Sequence, residues 1–171
     1  MNARSGSRIW YSLNDERNLT IRVPGIAQSN QTSEIMAIIA MVQATPPFQP
    51  LEISTDSKCL INGLTTHLEQ WENQGWIGIK NAPLFKKAAH LLRIPTAPTT
   101  FQWVKGHDGN EGNEGSDILA KEGAMKIKED QIDLMIPNEF DIQGPKLNTL
   151  TQVITYRGIK EARKAPTRRI T

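Results

Sequence analysis

Apolar positions in this chain fall in short runs cut by Pro, Gly and Asn/Asp clusters. Residues 9–13 and 19–23 read as two strands, with turn chemistry at Asn14, Asp15, Glu16, Arg17 and Asn18 between them, so they predict a hairpin. Pro24 and Gly25 end it. Ser29 to Gln31 offer N-cap groups ahead of an apolar helix over 33–44, which Pro46, Pro47 and Pro50 stop. A short strand over 51–55 follows, and Asp56-Ser57 opens a helix over about 58–66. Residues 68–73 continue as a short helix, and Gly75-Trp76 turns the chain. Helix over 82–92, strand over 100–104 and helix over 113–128 complete the regular pattern. Beyond Asp130 the pattern weakens, with one more helix expected over 147–164. The order β-β-α-β-α-α-β-α implies right-handed crossovers and parallel pairing after an antiparallel hairpin. The expected architecture is α/β, a mixed sheet flanked by helices.

Composition removes several classes. A length of 171 residues fits one domain, or one domain and a tail. No apolar run approaches a membrane span, and the first seven residues are polar with no apolar stretch behind them, so neither a membrane anchor nor a leader is expected. Cys59 is the only cysteine, which excludes an intrachain disulfide, makes a disulfide-linked partner unexpected and predicts a reducing, intracellular setting, cytoplasm or nucleus. No Cys/His cluster has zinc-ligand spacing. Net charge is only +2, but Lys146, Arg157, Lys160, Arg163, Lys164, Arg168 and Arg169 crowd the last segment against Glu161. Such a tail suits phosphate backbones; its plainer reading is a solvated end.

The candidate chemistry lies at the ends of elements. Asp56 follows an apolar strand, where ligands gather on open α/β sheets, although Asp-Ser is also good capping chemistry. Glu34 opens an otherwise apolar helix, where an acid costs desolvation unless it is paired or binds a cation, or else serves the helix dipole. Asp117 precedes Ile118, Leu119 and Ala120 at a helix start, and His107 lies in a loop between Gly106 and Gly109. Three carboxylates on one sheet edge would raise one another's pKa, and hard divalent cations remove that conflict. A histidine on a loop beside them could move protons at a leaving group.

The stretches SNQTSEIMAIIA, STDSKCLINGL, WENQGW and WVKGHDGNEGNEGSDILAKEGA resemble the type 1 ribonuclease H family, over roughly residues 29–124. The first hairpin is similar to the second and third strands of fungal members, many of them retroelement-derived. The resemblance implies a ribonuclease H-like domain over 1–130 and a basic C-terminal extension over 131–171. It implies endonucleolytic hydrolysis of the RNA strand of RNA–DNA hybrids with Mg²⁺ or Mn²⁺, and a reverse transcriptase context is one it allows. It carries over Glu34, Asp56 and Asp117 as catalytic metal ligands and His107 as the proton-handling residue. Ser29, Asn30, Gln31, Trp71 and Trp76 fall at substrate-facing positions; helix capping is the plainer reading for the first three, and core packing for both tryptophans, above all Trp76. The basic protrusion of some members is nearly absent, since residues 76–81 pass straight on, so hybrid affinity would draw on other basic groups such as Lys105 and the tail.

One departure matters. The family's first acid lies on a central first strand, usually in an Asp-Gly pair, and no residue here matches it. The central first strand is therefore expected to be missing from this chain. Its loss would bare backbone groups on both neighbouring strands, each at about 1–3 kcal/mol when buried. The chain as given is expected to cleave little, and the alternative to an active enzyme is a non-catalytic nucleic-acid-binding relic or a fragment of a retroelement polyprotein.

Overall fold

Ser29 decides where the first helix begins. Its hydroxyl accepts the Thr32 amide, so Asn30 becomes the first helical residue and α1 runs Asn30–Ala44. Apolar spacing alone predicts a start three residues later. The computed structural model describes residues 5–24, 29–106, 119, 121–141 and 144–164. Strands β1 (Gly6–Ile9) and β2 (Leu19–Arg22) precede α1 and pair antiparallel, Gly6 opposite Arg22 and Ile9 opposite Leu19. The first strand lies upstream of its expected position. Tyr11 N–H donates to Asn18 Oδ1 and already belongs to the turn, and Leu13 is exposed. An apolar run there does not mark a strand, because the Asn18 side chain takes the backbone donor that a ladder would need.

After α1 come β3 (Leu51–Thr55), α2 (Lys58–Leu64), α3 (Leu68–Asn73), α4 (Ala82–Leu92) and β4 (Thr99–Trp103). β3 and β4 are parallel, in register from Leu51 with Thr99 to Thr55 with Trp103. The expected bounds of β3, α3 and α4 are met to the residue, while the helix after Asp56 stops two residues early. Residues 121–125 are helical and the chain leaves the helix at Lys126, ahead of the expected end at 128. Residues 113–118 of that expected helix, Asp117 among them, lie outside the described residues. The single helix expected over 147–164 is two pieces, a 3-10 turn Leu147–Thr149 and α5 (Gln152–Lys164). At the break the Thr151 hydroxyl accepts the Ile154 amide, which caps the second piece by itself.

α1 is the support for everything else. Ile35, Ile38, Ile39 and Val42 are buried with Phe85, Ala88 and Ala89 of α4 and Ile53 of β3. Trp76 is also buried in this cluster, as its plainer reading predicts. Ala40 completes a smaller cluster with Ile9 and Ile21 of the hairpin. One helix therefore holds both pairs of strands. Among the described residues these pairs remain separate two-stranded sheets. The Ser5 and Ser7 hydroxyls reach Ser33 at the start of α1, which brings the Gly6 end of β1 there. The Thr55 end of β3 meets the same turn of α1 through Glu34 and its neighbours.

Residues 132–141 lie along α1 and α4. Lys87 is buried, and its Nζ donates to Asp133 Oδ2 at 3.1 Å and to the Met135 carbonyl at 2.7 Å. Gln43 Nε2 holds the Asp133 carbonyl at 2.8 Å, and Ile132 packs on both apolar clusters. Lys146 N–H and the Thr149 hydroxyl both donate to the Asn73 carbonyl.

Candidate active site

A cleft of about 710 Å³ opens between β1 and β3. Its floor is one stripe of α1, Asn30, Ser33, Glu34, Ala37, Ile38 and Met41, at the spacing of a single helix face. One wall is the backbone of β1, the other that of β3 up to Asp56, and Lys121 and Ala124 close part of the rim. Each strand thus turns a sheet edge toward the cleft, because its partner sits on the far side.

The two acids meet at one end of this cleft. Glu34 is half-buried. Burial, above all, pushes its carboxyl pKa up, and the like charge of Asp56 adds to the shift. A hydrogen bond from the Ser57 side chain and the charge of Arg8 oppose it. Asp56 is exposed, and its backbone carbonyl accepts Trp103 Nε1–H at 3.1 Å. Lys58 Nζ stands 4.6 Å from the centre of the Trp103 ring. Repelling carboxylates with oxygen-only donors on an open cleft fit a hard divalent cation. Among the described residues no group of three His, Cys, Asp or Glu collects. His107 and Asp117, the remaining predicted members, lie outside the described residues.

The loop that carries His107 nonetheless starts at this place. A Cβ added to Gly106 would stand 2.5 Å from Asp56 Oδ2, so the backbone one residue before the histidine lies on the Asp56 carboxylate. A larger residue there would make the exposed Asp56 carboxylate turn aside, so glycine matters for close approach rather than for its dihedral freedom. Sequence reasoning did not single out Gly106, Ser57, Lys121 or Trp103. A Gly directly before a loop His and the capping chemistry of Ser57 were the available signals, and Lys121 and Trp103 carry none.

The predicted substrate-facing residues divide. Asn30 is exposed on the cleft floor. Gln31 is held at both ends of its amide: Nε2 donates to Cys59 Sγ at 3.3 Å and Oε1 accepts Asn81 Nδ2–H at 2.7 Å. The Ser29 hydroxyl is engaged as the cap and also meets the Thr32 hydroxyl at 2.8 Å. Trp71 is half-buried, edge-on to Phe85 at 5.1 Å and to Trp76 at 6.0 Å, with His67 stacked beside it.

The mixed α/β fold carries two acids where a strand end meets a helix start, the arrangement that the resemblance to ribonuclease H implies. The RNase H family model matches residues 1–125. This chain belongs to the RNase H family, and by family it is an RNA–DNA hybrid ribonuclease. It is 32% identical over 108 residues to the Ribonuclease H of Zymomonas mobilis subsp. mobilis, covering 60% of this chain and 68% of that protein. To human Ribonuclease H1 it is 35% identical over 131 residues, covering 74% of this chain and 46% of the relative. The chain thus spans about half the length of that relative. Two solved structures share the fold: LC9-RNase H1, a type 1 RNase H with the type 2 active-site motif, at TM-score 0.51, 19% identity and coverage of 71% of this chain and 69% of that one; and a foamy viral protease–reverse transcriptase in complex with dsDNA, at 0.54, 20%, 70% and 90%. Among the described residues no helix is long and apolar enough to cross a membrane.

Proposed function

We propose that the Glu34–Asp56 end of the cleft is where this chain engages the scissile phosphate of the RNA strand of an RNA–DNA hybrid. The reading rests on one observation, the convergence of Glu34 and Asp56 with the root of the His107 loop. Glu34, Asp56 and Asp117 hold Mg²⁺ (or Mn²⁺) in this reading. Such a cation supplies Lewis-acid stabilisation of charge on the phosphate. Glu34 brings a carboxylate that is costly to ionise without a cation, which favours a loaded site. Ser57 orients that carboxylate through its hydrogen bond. His107 handles the proton at the leaving oxygen. Asn30 presents its amide to the 2′-hydroxyl and base edge of the RNA, and Gln31 is fixed for the same face by Asn81 and Cys59. Ser29 serves the substrate by fixing the start of α1. Trp71 packs against Phe85 and Trp76 and so steadies α3 on the core.

Residues 1–130 act as the hydrolase domain and 131–171 as a basic extension. The foamy viral relative in fold supports a reverse transcriptase context, and a hybrid substrate supports an intracellular place, cytoplasm or nucleus. The open cleft between β1 and β3 favours a second reading, in which this chain alone binds hybrids and cleaves them little. A labelled hybrid in Mg²⁺ separates the two. Hybrid binding with little RNA cleavage is expected. Cleavage at a rate normal for such enzymes would remove the second reading, and failure to bind hybrid would remove both.

Gly106→Ala tests whether Asp56 is a ligand. The new methyl must displace the Asp56 carboxylate, so Mg²⁺ affinity is expected to fall roughly 10-fold, as when a ligand loses its support. Isothermal calorimetry reads this directly. Unchanged affinity would mean that Asp56 is not a metal ligand, since the cap of α2 is Ser57.

A further inference from the structure

α5 is held to the protein along one stripe. Ile154 is buried, a Cβ on Gly158 would stand 3.2 Å from Ile77 Cδ1, and Glu161 Oε1 accepts the Gly78 amide at 2.8 Å. These positions are i, i+4 and i+7, a single helix face. Tyr156, Lys160 and Arg163 repeat the same spacing on the other side, and all three are exposed. Arg157 lies beside Gly78. Among the described residues neither Lys160 nor Arg163 joins an ion pair. The outer face of α5 is thus cationic and aromatic, edged by the exposed Val153 and Ile159, and among the described residues no carboxylate pairs with its cations.

Its position matters as much as its charge. The turn on which α5 stands runs from Gly78 through the exposed Lys80 to Asn81, whose amide donates to Gln31 on the first turn of α1. Asn30 and Glu34 on that helix form the cleft floor. A chain of contacts therefore runs from the first turn of α1 through Asn81 and Gly78 to the docked side of α5.

We propose that α5 is a second contact for the nucleic acid, with Tyr156, Lys160 and Arg163 gripping the phosphate backbone of the duplex whose RNA strand lies over Glu34 and Asp56. This rests on the hybrid-binding reading above. Phosphates complement the charge at helical spacing, and a tyrosine between cations packs against a sugar–phosphate edge. An anionic lipid surface is the competitor the test must separate, since Val153, Tyr156 and Ile159 are exposed on the same helix.

The test uses the full chain and its Lys160→Gln/Arg163→Gln variant. Fluorescence anisotropy follows binding of a labelled RNA–DNA hybrid between about 50 and 200 mM salt, in Ca²⁺ to hold back cleavage. Both side chains are exposed, and circular dichroism checks that the melting temperature is unmoved. The variant is expected to bind about 10-fold more weakly at the low-salt end, with a log–log salt slope shallower by about 1.8, which is 0.9 for each lost phosphate contact. Equal slopes for both proteins on a bound hybrid would overturn the α5 contact and leave the cleft reading standing. Absence of hybrid binding by the unmodified chain would overturn both. Sedimentation with anionic phosphatidylserine vesicles that the variant alone loses, beside unchanged hybrid binding, would assign the face to lipid and overturn the proposal.

Discussion

Asp56→Asn is expected to abolish whatever RNA cleavage the chain supports, by more than about 100-fold, since several kcal/mol of phosphate stabilisation go with a lost ligand charge. Asp56 is exposed and its capping neighbour Ser57 remains, so the melting temperature should move by no more than a few degrees. The same substitution has a signature independent of turnover. Glu34 titrates above the ordinary glutamate value of 4.5, chiefly from burial and further from Asp56. With its pKa raised on folding, Glu34 binds more protons in the native state than in the unfolded chain. Its contribution to stability is therefore largest in acid and is lost as pH rises through the interval from the ordinary to the raised value. Asp56→Asn removes the like charge but not the burial. The carboxyl titration of Glu34, followed by NMR, should then move down without reaching the ordinary value. A titration that does not move would mean that the two acids do not sense each other, and the site would dissolve with them.

Phe85→Ala should cost about 3–5 kcal/mol, a large share of the roughly 5–15 kcal/mol that holds a domain folded. Phe85 is completely buried at the centre of the main cluster. Its ring stands edge-on to Trp71, and a Cβ on Gly63 would come within 2.8 Å of it, so α2, α3 and α4 all close on this one side chain. None of those groups can fill the space of a lost ring without moving a helix. Urea denaturation measures the loss. A cost below about 1 kcal/mol would mean that the core can collapse around the vacancy, against the close packing seen here.

The two predictions draw on features of unequal legibility. β3, α3 and α4 were readable to the residue because a proline or glycine stands close to an end of each. The start of α1 was not, since three candidate caps stood in a row and only the structure shows that Ser29 takes the Thr32 amide. β1 was displaced because its limit is set across the hairpin by Asn18, a residue nine positions beyond the last strand residue. Glu34 and Asp56 stood out in sequence as acids at element starts. Ser57 and Lys121 did not, because their place beside the acids depends on how α1, β3 and the helical turn at 121–125 are stacked. Gly106 is the intermediate case, a small residue whose meaning appears only when the carboxylate opposite is known.

The bare sides of β1 and β3 carry a consequence for dynamics. In any strand, alternate amides point to opposite neighbours. In the described residues each of these strands has a neighbour on one side alone. Native-state hydrogen exchange should therefore split each strand into alternating slow and fast protons, the fast set exchanging as a loop would although the backbone is extended. A binder that lays its own backbone along the trough would slow that fast set in both strands together, and so would announce itself in deuterium uptake before any catalysis is measured.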